Sequence, residues 1–507
     1  MKKRGIAKLG QILGNLNAGH LKDYKYERQR PAPWSVRENG KWIIKNVRII
    51  DVKQGIIRPE TALLIQGKRI SRLLTKTEND DRLTLEQVDD VIDGKEQYLI
   101  PGLSDLHCHL SLISEYEFSL KSLYYFDAQR EKNCEFALSK GCTFVRDSAG
   151  AYDMVHALKQ EIEAGRLLGP KIFPSYKIMT PQGGMWDVNK IVNNIAPMIF
   201  GGKVISYPKN KSEIAAHIKH VVDMGAESIK IYLEEKPLYG GKEDQAYNMF
   251  TNEEIRFIRN QADKYGKVVE SHAMFISGAR RAIQGRIDSI AHMTVDAPYT
   301  LEDAKNMVEN NVAIIPTLSI GSYLAMNCGK AGSPDHPEYK FYRKMLEKYV
   351  KPNLCKATIP EIRHCYTKFY DFIWNKIENR SMPGIGRVYP DRIHGFGIQA
   401  PKSFENFKTA KTKVGMGTDG GTGITFSGSF EIEFEGYKRY GYSPAEILRK
   451  ATLENMEILG LDHELGSLES GKYADMVLLG KNPLEDITAI HDIKKVFKDG
   501  RCYIDNE

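Results

Sequence analysis

Short apolar segments alternate with amphipathic helical stretches between residues 102 and 421 of the chain. The helical stretches carry start signals; Thr251 and Glu254, for example, have the spacing of a capping box in front of an apolar helix face. Eight apolar segments predict strands, namely YLIPGLSDL, CTFVRDSAG, KIFPSY, ESIKIYL, KVVESHA, DSIAHM, VAIIPTL and KVGMGTD. This alternation predicts an α/β protein with a TIM-like (β/α)8 barrel. An open doubly wound sheet is the alternative fold, although no GxGxxG follows the first strand.

The pattern changes near the two chain ends, where apolar and polar residues alternate with the period of strands. Residues 41–97 and 460–507 therefore predict a small β-sandwich domain built from both ends of the chain. Residues 98–459 are left for the barrel, and 1–40 form an N-terminal extension. Within the barrel, residues 321–410 form a long insertion rich in aromatic residues, which is a candidate lid.

Composition narrows the expected partners. The chain has 507 residues, 42% hydrophobic and 27% charged, and its net charge of +7 is scattered rather than gathered in one stripe, so we expect no nucleic-acid partner. Seven cysteines without close CxxC spacing argue against a disulfide framework and favour the cytoplasm. No apolar run approaches the roughly 20 residues that span a membrane. A small-molecule substrate is the expected partner, and a homo-oligomer is left open.

Histidines stand where the predicted strands end. His107 and His109 lie one residue apart on the first strand, so they project from the same face, where imidazoles make poor core residues but good metal ligands. His272 and His292 end the fifth and sixth strands, and Asp419 ends the eighth within GMGTDGG. The carboxyl ends of barrel strands converge, so these residues predict one metal site. Asp419 is also a candidate proton shuttle, although an Asp before Gly is often only a turn residue.

Lys230 lies between two isoleucines in ESIKIYL, a strand that should be buried. Lysine is almost never fully buried unless it is paired or used chemically. Burial lowers the pKa of an amine, and a neutral amine can react with CO2 to give a carbamate whose two oxygens bridge two cations. The alternative is a lysine that extends to the barrel mouth as a simple charge.

These segments resemble the metal-dependent amidohydrolase superfamily. LIPGLSDLHCHL is similar to the signature of that family, and the similarity spans roughly residues 41–504. It is greatest to the imidazolonepropionase-like and prolidase-like branch, which includes dipeptidases. Further similar segments follow in the family's order: GCTFVRDSAG, SIKIYL, VVESHA, IDSIAHM, AIIPTL, GMGTDGG, SPAEILRKAT and LGSLESGKYADMVLLGKNPLEDI. The resemblance leaves out most of the N-terminal extension and much of the insertion.

The resemblance implies a (β/α)8 barrel, a β-sandwich from both chain ends, and two divalent metal ions, usually zinc. By the family pattern, the more buried ion is held by His107, His109 and Asp419, and the more exposed ion by His272 and His292. A CO2-derived carbamate on Lys230 would bridge the two ions. The implied reaction is attack on an amide by a metal-activated hydroxide, with Asp419 as the catalytic residue that transfers the proton.

Two departures from the prolidase-like pattern concern the substrate. Met185 and Trp186 stand where the branch usually has a histidine after Gly-Gly, and Met274 replaces the second histidine after strand five. Both changes suggest a more apolar or bulkier substrate. Tyr232, on the same strand face as the lysine, is a candidate substrate contact, and Trp186 is a weaker one; each has the alternative of an ordinary packing residue.

The sequence therefore predicts a metal-dependent amidohydrolase that cleaves a carbon–nitrogen bond of a dipeptide or an N-acyl amino acid. A deaminase or cyclic-amide hydrolase of the same superfamily is the alternative. Lys230 argues against it, whereas Glu270, on the same face as His272, keeps it open. A lactone or organophosphate hydrolase and a non-catalytic scaffold are further alternatives. The scaffold is disfavoured because all six ligand positions are filled.

Overall fold

The computed structural model describes residues 40–77, 88–113, 125–185, 187, 204–237, 245–321, 336–375, 381–382, 386–387 and 395–507. The predicted N-terminal extension, except its last residue, and Trp186 lie outside the described residues. In the part of the chain that is described, no helix is both long and apolar enough to cross a membrane.

Both chain ends contribute strands to one mixed sheet. The order of hydrogen-bonded neighbours is β19-β18-β17-β5-β1-β3-β4, and β2 pairs with β1. The central pair is parallel, with Trp42 of β1 opposite Asp90 of β5, whereas β17 runs antiparallel to β5. The strands of this terminal sheet are β1 (Lys41–Asp51), β2 (Ile56–Ile57), β3 (Glu60–Gln66), β4 (Arg69–Thr75), β5 (Asp90–Pro101), β17 (Met476–Leu479), β18 (Ile493–Lys498) and β19 (Arg501–Asp505).

One apolar cluster holds this sheet together. It combines Trp42, Ile65 and Leu99 from the N-terminal strands with Met476 and Phe497 from the C-terminal strands. The rings of Trp42 and Phe497 stack with centroids 5.4 Å apart, and the Trp42 indole donates a hydrogen bond to Gly500 O at 2.9 Å. Hydrophobic burial therefore joins the two chain ends directly.

Parallel strands separated by helices form the middle of the chain. One sheet has the order β6-β7-β8, and a second has the order β10-β9-β11-β12-β13-β14. Every predicted strand segment except KVGMGTD overlaps one of these strands. Their bounds are β6 (Leu103–Cys108), β7 (Cys142–Asp147), β8 (Lys171–Pro174), β9 (Ile178–Met179), β10 (Ile205–Ser206), β11 (Ser228–Tyr232), β12 (Val268–His272), β13 (Ser289–Ala291) and β14 (Ala313–Ile315).

The third predicted strand, KIFPSY, contains β8, and β9 follows it as a separate short piece. β8 pairs with β7, whereas β9 pairs with β11. The intervening residue Tyr176 has a positive φ of 56°, which ends regular strand geometry between the two pieces. The break lets one segment link the two sheets, because Glu227 N, just before β11, also donates to Pro174 O at 2.8 Å.

The segment 413–420 lies between β14 and β6 but forms no continuous strand. Gly415 N donates to Ile314 O at 2.9 Å on one side. On the other side Leu106 N donates to Met416 O at 2.9 Å, and His109 N donates to Gly420 O at 2.7 Å. The prediction of a regular strand at KVGMGTD is therefore wrong, although the segment occupies the expected neighbourhood.

Helices separate the parallel strands. The capping box at Thr251 is formed, which confirms the helix start predicted there. Within 321–410 the described residues are largely helical, apart from the antiparallel pair of β15 (Ser381–Met382) and β16 (Gly386–Arg387). The lid role of this insertion stays a prediction. The α-helices are α1 (Phe126–Ser139), α2 (Tyr152–Glu163), α3 (Lys211–Asp223), α4 (Asn252–Asp263), α5 (Ile276–Gln284), α6 (Leu301–Glu309), α7 (Pro337–Met345), α8 (Lys351–Ala357), α9 (Pro360–Asn375), α10 (Gly395–Ala410), α11 (Glu431–Arg439), α12 (Pro444–Arg449) and α13 (Asn455–Leu459).

Candidate metal centre

The six residues predicted as ligands lie on, or just after, the parallel strands and the segment 413–420. All six are buried, and their exposed fractions range from 0% for Lys230 to 8% for His272. Buried polar side chains are costly unless they are paired or bind a ligand, so this group calls for an explanation other than packing. The six are His107, His109, Lys230, His272, His292 and Asp419.

Asp419 brings the paired histidines together. Its Oδ1 lies 3.4 Å from His107 Nε2 and 3.2 Å from His109 Nε2. Two ligand atoms on one zinc ion, each about 2.0–2.2 Å from it, are separated by roughly 3.3 Å in a tetrahedral site. Ligand atoms of His107, His292 and Asp419 all lie within 4.8 Å of one another. The spacing therefore suits a shared cation.

The outer ring nitrogens of three histidines are held by the surrounding chain. His107 Nδ1 lies 2.5 Å from Glu270 Oε1, His109 Nδ1 lies 3.0 Å from Ala149 O, and His292 Nδ1 lies 2.8 Å from Thr317 Oγ1. The tautomer with a proton on Nδ1 donates to each of these oxygens. Such partners orient ligand histidines in metalloproteins, because they leave Nε2 unprotonated and free to bind a metal ion.

Lys230 is fully buried on β11. Burial, opposed by the charge of Glu270, lowers the pKa of its ammonium to about 8. Lys230 Nζ lies 3.2 Å from Glu270 Oε2, yet it makes no hydrogen bond with any described residue. The neutral form of this lysine is therefore more populated near pH 7 than that of an exposed lysine. The neutral amine is the form that reacts with CO2.

Glu270 and Arg146 form a buried ion pair beneath the histidines. Arg146 Nη2 donates to Glu270 Oε1 at 2.9 Å, and its other nitrogens donate to Leu106 O and to Ser289 Oγ. Burial alone would raise the pKa of Glu270, but Arg146, Lys230 and His107 together lower it well below its usual value. This supporting role was not predicted from the sequence. The charged Arg-Asp pair inside the apolar segment CTFVRD was the available signal.

His272 has a different environment. Its ring stacks on Tyr232 with centroids 4.2 Å apart and lies 4.4 Å from the His292 ring. His272 Nε2 is 3.1 Å from Glu234 Oε1 but makes no hydrogen bond with a described residue. Glu234 was missed by sequence analysis. Strand alternation could have found it, because it follows Lys230 and Tyr232 at intervals of two.

Four buried polar atoms at this centre have no hydrogen-bond partner among the described residues. They are Lys230 Nζ, Glu234 Oε2, Glu270 Oε2 and His272 Nε2. Such orphan atoms are rare in a native core unless an ion or a water completes them. Imidazole and carboxylate are also the donor set that divalent zinc prefers. The residues present therefore fit a divalent cation centre.

Apolar side chains line one flank of the centre. Tyr232 packs in a cluster with Ala149, Ile178, Met185 and Tyr247, all buried. Tyr232 and Met185 thus lie in the neighbourhood that sequence analysis linked to the substrate, whereas Trp186 lies outside the described residues.

A cleft of about 680 Å³ lies elsewhere, beside Phe136 of α1, Asn353 of α8 and Ile493 of β18. None of the six predicted ligands lines it. The candidate site therefore rests on side-chain chemistry and geometry and not on the volume of this cleft.

Comparisons with known proteins identify the family of the chain. The model of the amidohydrolase family matches residues 98–502. Ochratoxinase from Aspergillus niger is 22% identical over 425 residues, which cover 80% of this chain and 75% of that protein.

Solved structures give the same fold. A Xaa-Pro dipeptidase with methionine bound in its active site has a TM-score of 0.66 at 23% identity, covering 91% of this chain and 99% of that chain. The structure of A. niger ochratoxinase has a TM-score of 0.65 at 20% identity, covering 92% and 96%. These likenesses imply a TIM-barrel-like α/β fold. The chain belongs to the amidohydrolase family and is a hydrolytic enzyme that acts on carbon–nitrogen bonds.

Proposed function

We propose that this enzyme is a metal-dependent hydrolase that cleaves the amide bond of a small substrate such as a dipeptide or an N-acyl amino acid. The observation that carries the proposal is the approach of Asp419 Oδ1 to both His107 Nε2 and His109 Nε2, at 3.4 and 3.2 Å. This constellation lies beside a fully buried lysine whose pKa is lowered to about 8 by burial.

We also propose that the parallel strands close into a (β/α)8 barrel. The terminal sheet would fold into a β-sandwich with domain limits near 41–97 and 460–507. The hydrogen bonds of the segment 413–420 to both β14 and β6 support closure. The apolar cluster shared by Trp42 and Phe497 supports the sandwich.

The residues divide into two ligand groups in this proposal. His107, His109 and Asp419 would hold the more buried ion, and His272 and His292 the more exposed one. A carbamate on Lys230 would join the two groups. When bound, two divalent ions, usually zinc in this family, would make a water acidic enough to attack at neutral pH and would polarise the scissile carbonyl.

Asp419 is the proposed proton carrier. Burial would raise its pKa, but the adjacent His107 and His109 side chains lower it well below the usual value, so the carboxylate is ionised at neutral pH. An ionised carboxylate can take the proton of the attacking water and return it to the leaving amine. The proton returned makes the amine a neutral leaving group.

The flank of the centre favours a substrate with an apolar or aromatic group. The cluster of Tyr232, Met185 and Tyr247 would contact that group, and the Tyr232 hydroxyl would donate to a substrate carboxylate or to the developing oxyanion. Trp186 is retained as a weaker contact. The named activities of a Xaa-Pro dipeptidase and an ochratoxinase among similar proteins are consistent with this class.

Glu270 was the residue that kept the deaminase alternative open. Its Oε1 accepts from Arg146 and contacts His107 Nδ1, so this carboxylate is committed to supporting the centre. A cytoplasmic location stays a prediction, supported by free thiols at Cys108, Cys134 and Cys142. The assembly state and the absence of a nucleic-acid partner also stay predictions.

The first test is a count of metal ions with an amide-cleavage assay. Purified enzyme should contain about two divalent ions per chain, should lose hydrolysis of dipeptides or N-acyl amino acids after chelation, and should regain it when metal is returned.

Asp419→Asn should fold but lose at least a hundredfold in kcat, consistent with loss of a positioned proton carrier. The matched control is His463→Ala, at an exposed histidine away from the centre, which should keep metal and turnover. Ammonia release without amine release would favour the deaminase instead, and an absence of metal binding would refute the proposal.

A further inference from the structure

Glu234 lies at the edge of the metal centre although the family pattern of ligands does not include it. It comes two residues after Tyr232 and four after Lys230. Side chains at intervals of two project from the same face of an extended chain. Glu234 therefore continues the line that already contains the buried lysine and the tyrosine stacked on His272.

The two carboxyl oxygens of Glu234 have unequal surroundings. Oε1 accepts a hydrogen bond from Met274 N at 2.6 Å and lies 3.1 Å from His272 Nε2. Oε2 is buried and has no hydrogen-bond partner among the described residues. His272 Nε2 is likewise buried and without a hydrogen bond to any residue that the structure describes. The Glu234 carboxyl group therefore lies against an unpartnered imidazole nitrogen, and one of its own oxygens also has no partner among the described residues.

Chemistry favours a cation between these groups. Glu234 is 1% exposed, and a carboxylate in such a place needs a positive partner. Two ligand atoms bound to one ion at about 2.0–2.2 Å are separated by roughly 3 Å when they occupy neighbouring positions. The observed 3.1 Å between Oε1 and Nε2 has that value.

We propose that Glu234 is a further ligand of the more exposed ion, next to His272. The inference rests on the proposed function. A carboxylate added to two imidazoles makes this position more anionic and raises its coordination number. Compared with a site that lacks this carboxylate, the added carboxylate increases the preference for harder ions that take more ligands, such as Mn2+, over four-coordinate zinc.

The test compares Glu234→Gln with Glu235→Gln. Glutamine keeps an oxygen that accepts from Met274 N, so a merely structural role would leave metal binding unchanged. Glu235 is the matched control, because its Oε2 accepts from Ser277 Oγ outside the centre. Mn2+ and Zn2+ would be titrated separately into metal-free protein and bound ions counted by elemental analysis. The visible spectrum of the Co2+-loaded protein would report the coordination number.

We expect Glu234→Gln to weaken the second Mn2+ by at least tenfold, to affect Zn2+ less, and to shift the Co2+ spectrum towards that of a lower coordination number. Glu235→Gln should match the natural protein. If Glu234→Gln binds both ions with unchanged affinity and spectrum, the ligand role is refuted and the proposed function stands. If the natural protein binds no metal, both proposals are refuted. Glu234→Asp, which moves the carboxylate by one methylene, provides the same comparison if Glu234→Gln does not fold.

Discussion

Lys230 is the residue whose environment is hardest to explain by packing alone. It has no exposed surface, and its close charged neighbour Glu270 is already engaged by Arg146 and His107. A buried lysine of this kind costs folding free energy, so it is retained for a chemical reason. A bridging carbamate would supply that reason, since it converts a destabilising buried cation into a metal ligand.

We expect Lys230→Ala to lower metal content below two ions per chain and to abolish most amide hydrolysis, because the bridge is lost. Acetate or propionate should restore part of the activity by supplying a carboxylate in the vacated space. Elemental analysis and an activity titration with the added acid would measure both effects.

Lys498→Ala is the control for loss of a buried lysine. Burial also lowers the pKa of Lys498 to about 8, but its ammonium donates to Gly169 O, away from the centre. This variant should lose stability without any rescue by carboxylates. Full metal content and full turnover in Lys230→Ala would contradict the carbamate.

At the residue scale, the sequence predicted that His107, His109 and Asp419 lie together but not which residues support them. Their proximity was predictable because the carboxyl ends of parallel strands meet at one edge, and their role as metal ligands stays a prediction. Glu234 and Arg146 were not singled out, because their roles depend on distances between β7, β11 and β12 that no local pattern contains. Partners of this kind become visible only once the strands are placed side by side.

The segment 413–420 is the element that carries Asp419 to the histidines. Two of its glycines allow the backbone to approach its neighbours: a Cβ on Gly417 would lie 2.8 Å from His107 N, and one on Gly415 would lie 2.6 Å from Ile315 Cδ1. A side chain at either position would push the segment away. The apolar pattern of KVGMGTD predicted where this element lies but not its irregular backbone, because close approach is a tertiary property.

Gly417→Ala should therefore separate Asp419 from His107 and weaken metal binding, with a loss of about 1–3 kcal/mol in the free energy of unfolding. Metal titration together with thermal unfolding would measure the two effects. Gly397→Ala in α10 is the comparison, since its methyl would come closest to the Tyr342 ring, at 3.2 Å, and to Glu338 Cβ, at 3.8 Å. If the two variants bind metal equally well, the close approach of this segment to β6 does not position Asp419.

For the whole molecule, the main structural feature is that the terminal sheet uses both chain ends. β5 pairs with β1 on one side and with β17 on the other, so strands far apart in sequence share one apolar cluster. The sequence predicted this joining from the alternating patterns at both ends. It did not predict the parallel pairing of β1 and β5, because register depends on contacts across the whole sheet.

Phe497→Ala should destabilise the whole protein by about 3–5 kcal/mol, because it leaves a cavity against Trp42 where the two ends meet. The expected result is a lower Tm and an earlier change in tryptophan fluorescence during denaturation. Ile56→Ala, at an exposed position of β2, should change neither. A Phe497→Ala protein as stable as the natural one would show that the ends are not held by this contact.

The position of β5 also has a consequence for how the protein is made. While the ribosome works, β5 is complete early, yet its partner β17 is translated several hundred residues later. At about 5–20 residues per second, the edge of β5 that later pairs with β17 keeps its backbone groups unpaired for tens of seconds. During this interval the nascent chain exposes an edge strand that can pair with other chains. The yield of folded protein should therefore depend on chaperone supply and on translation speed.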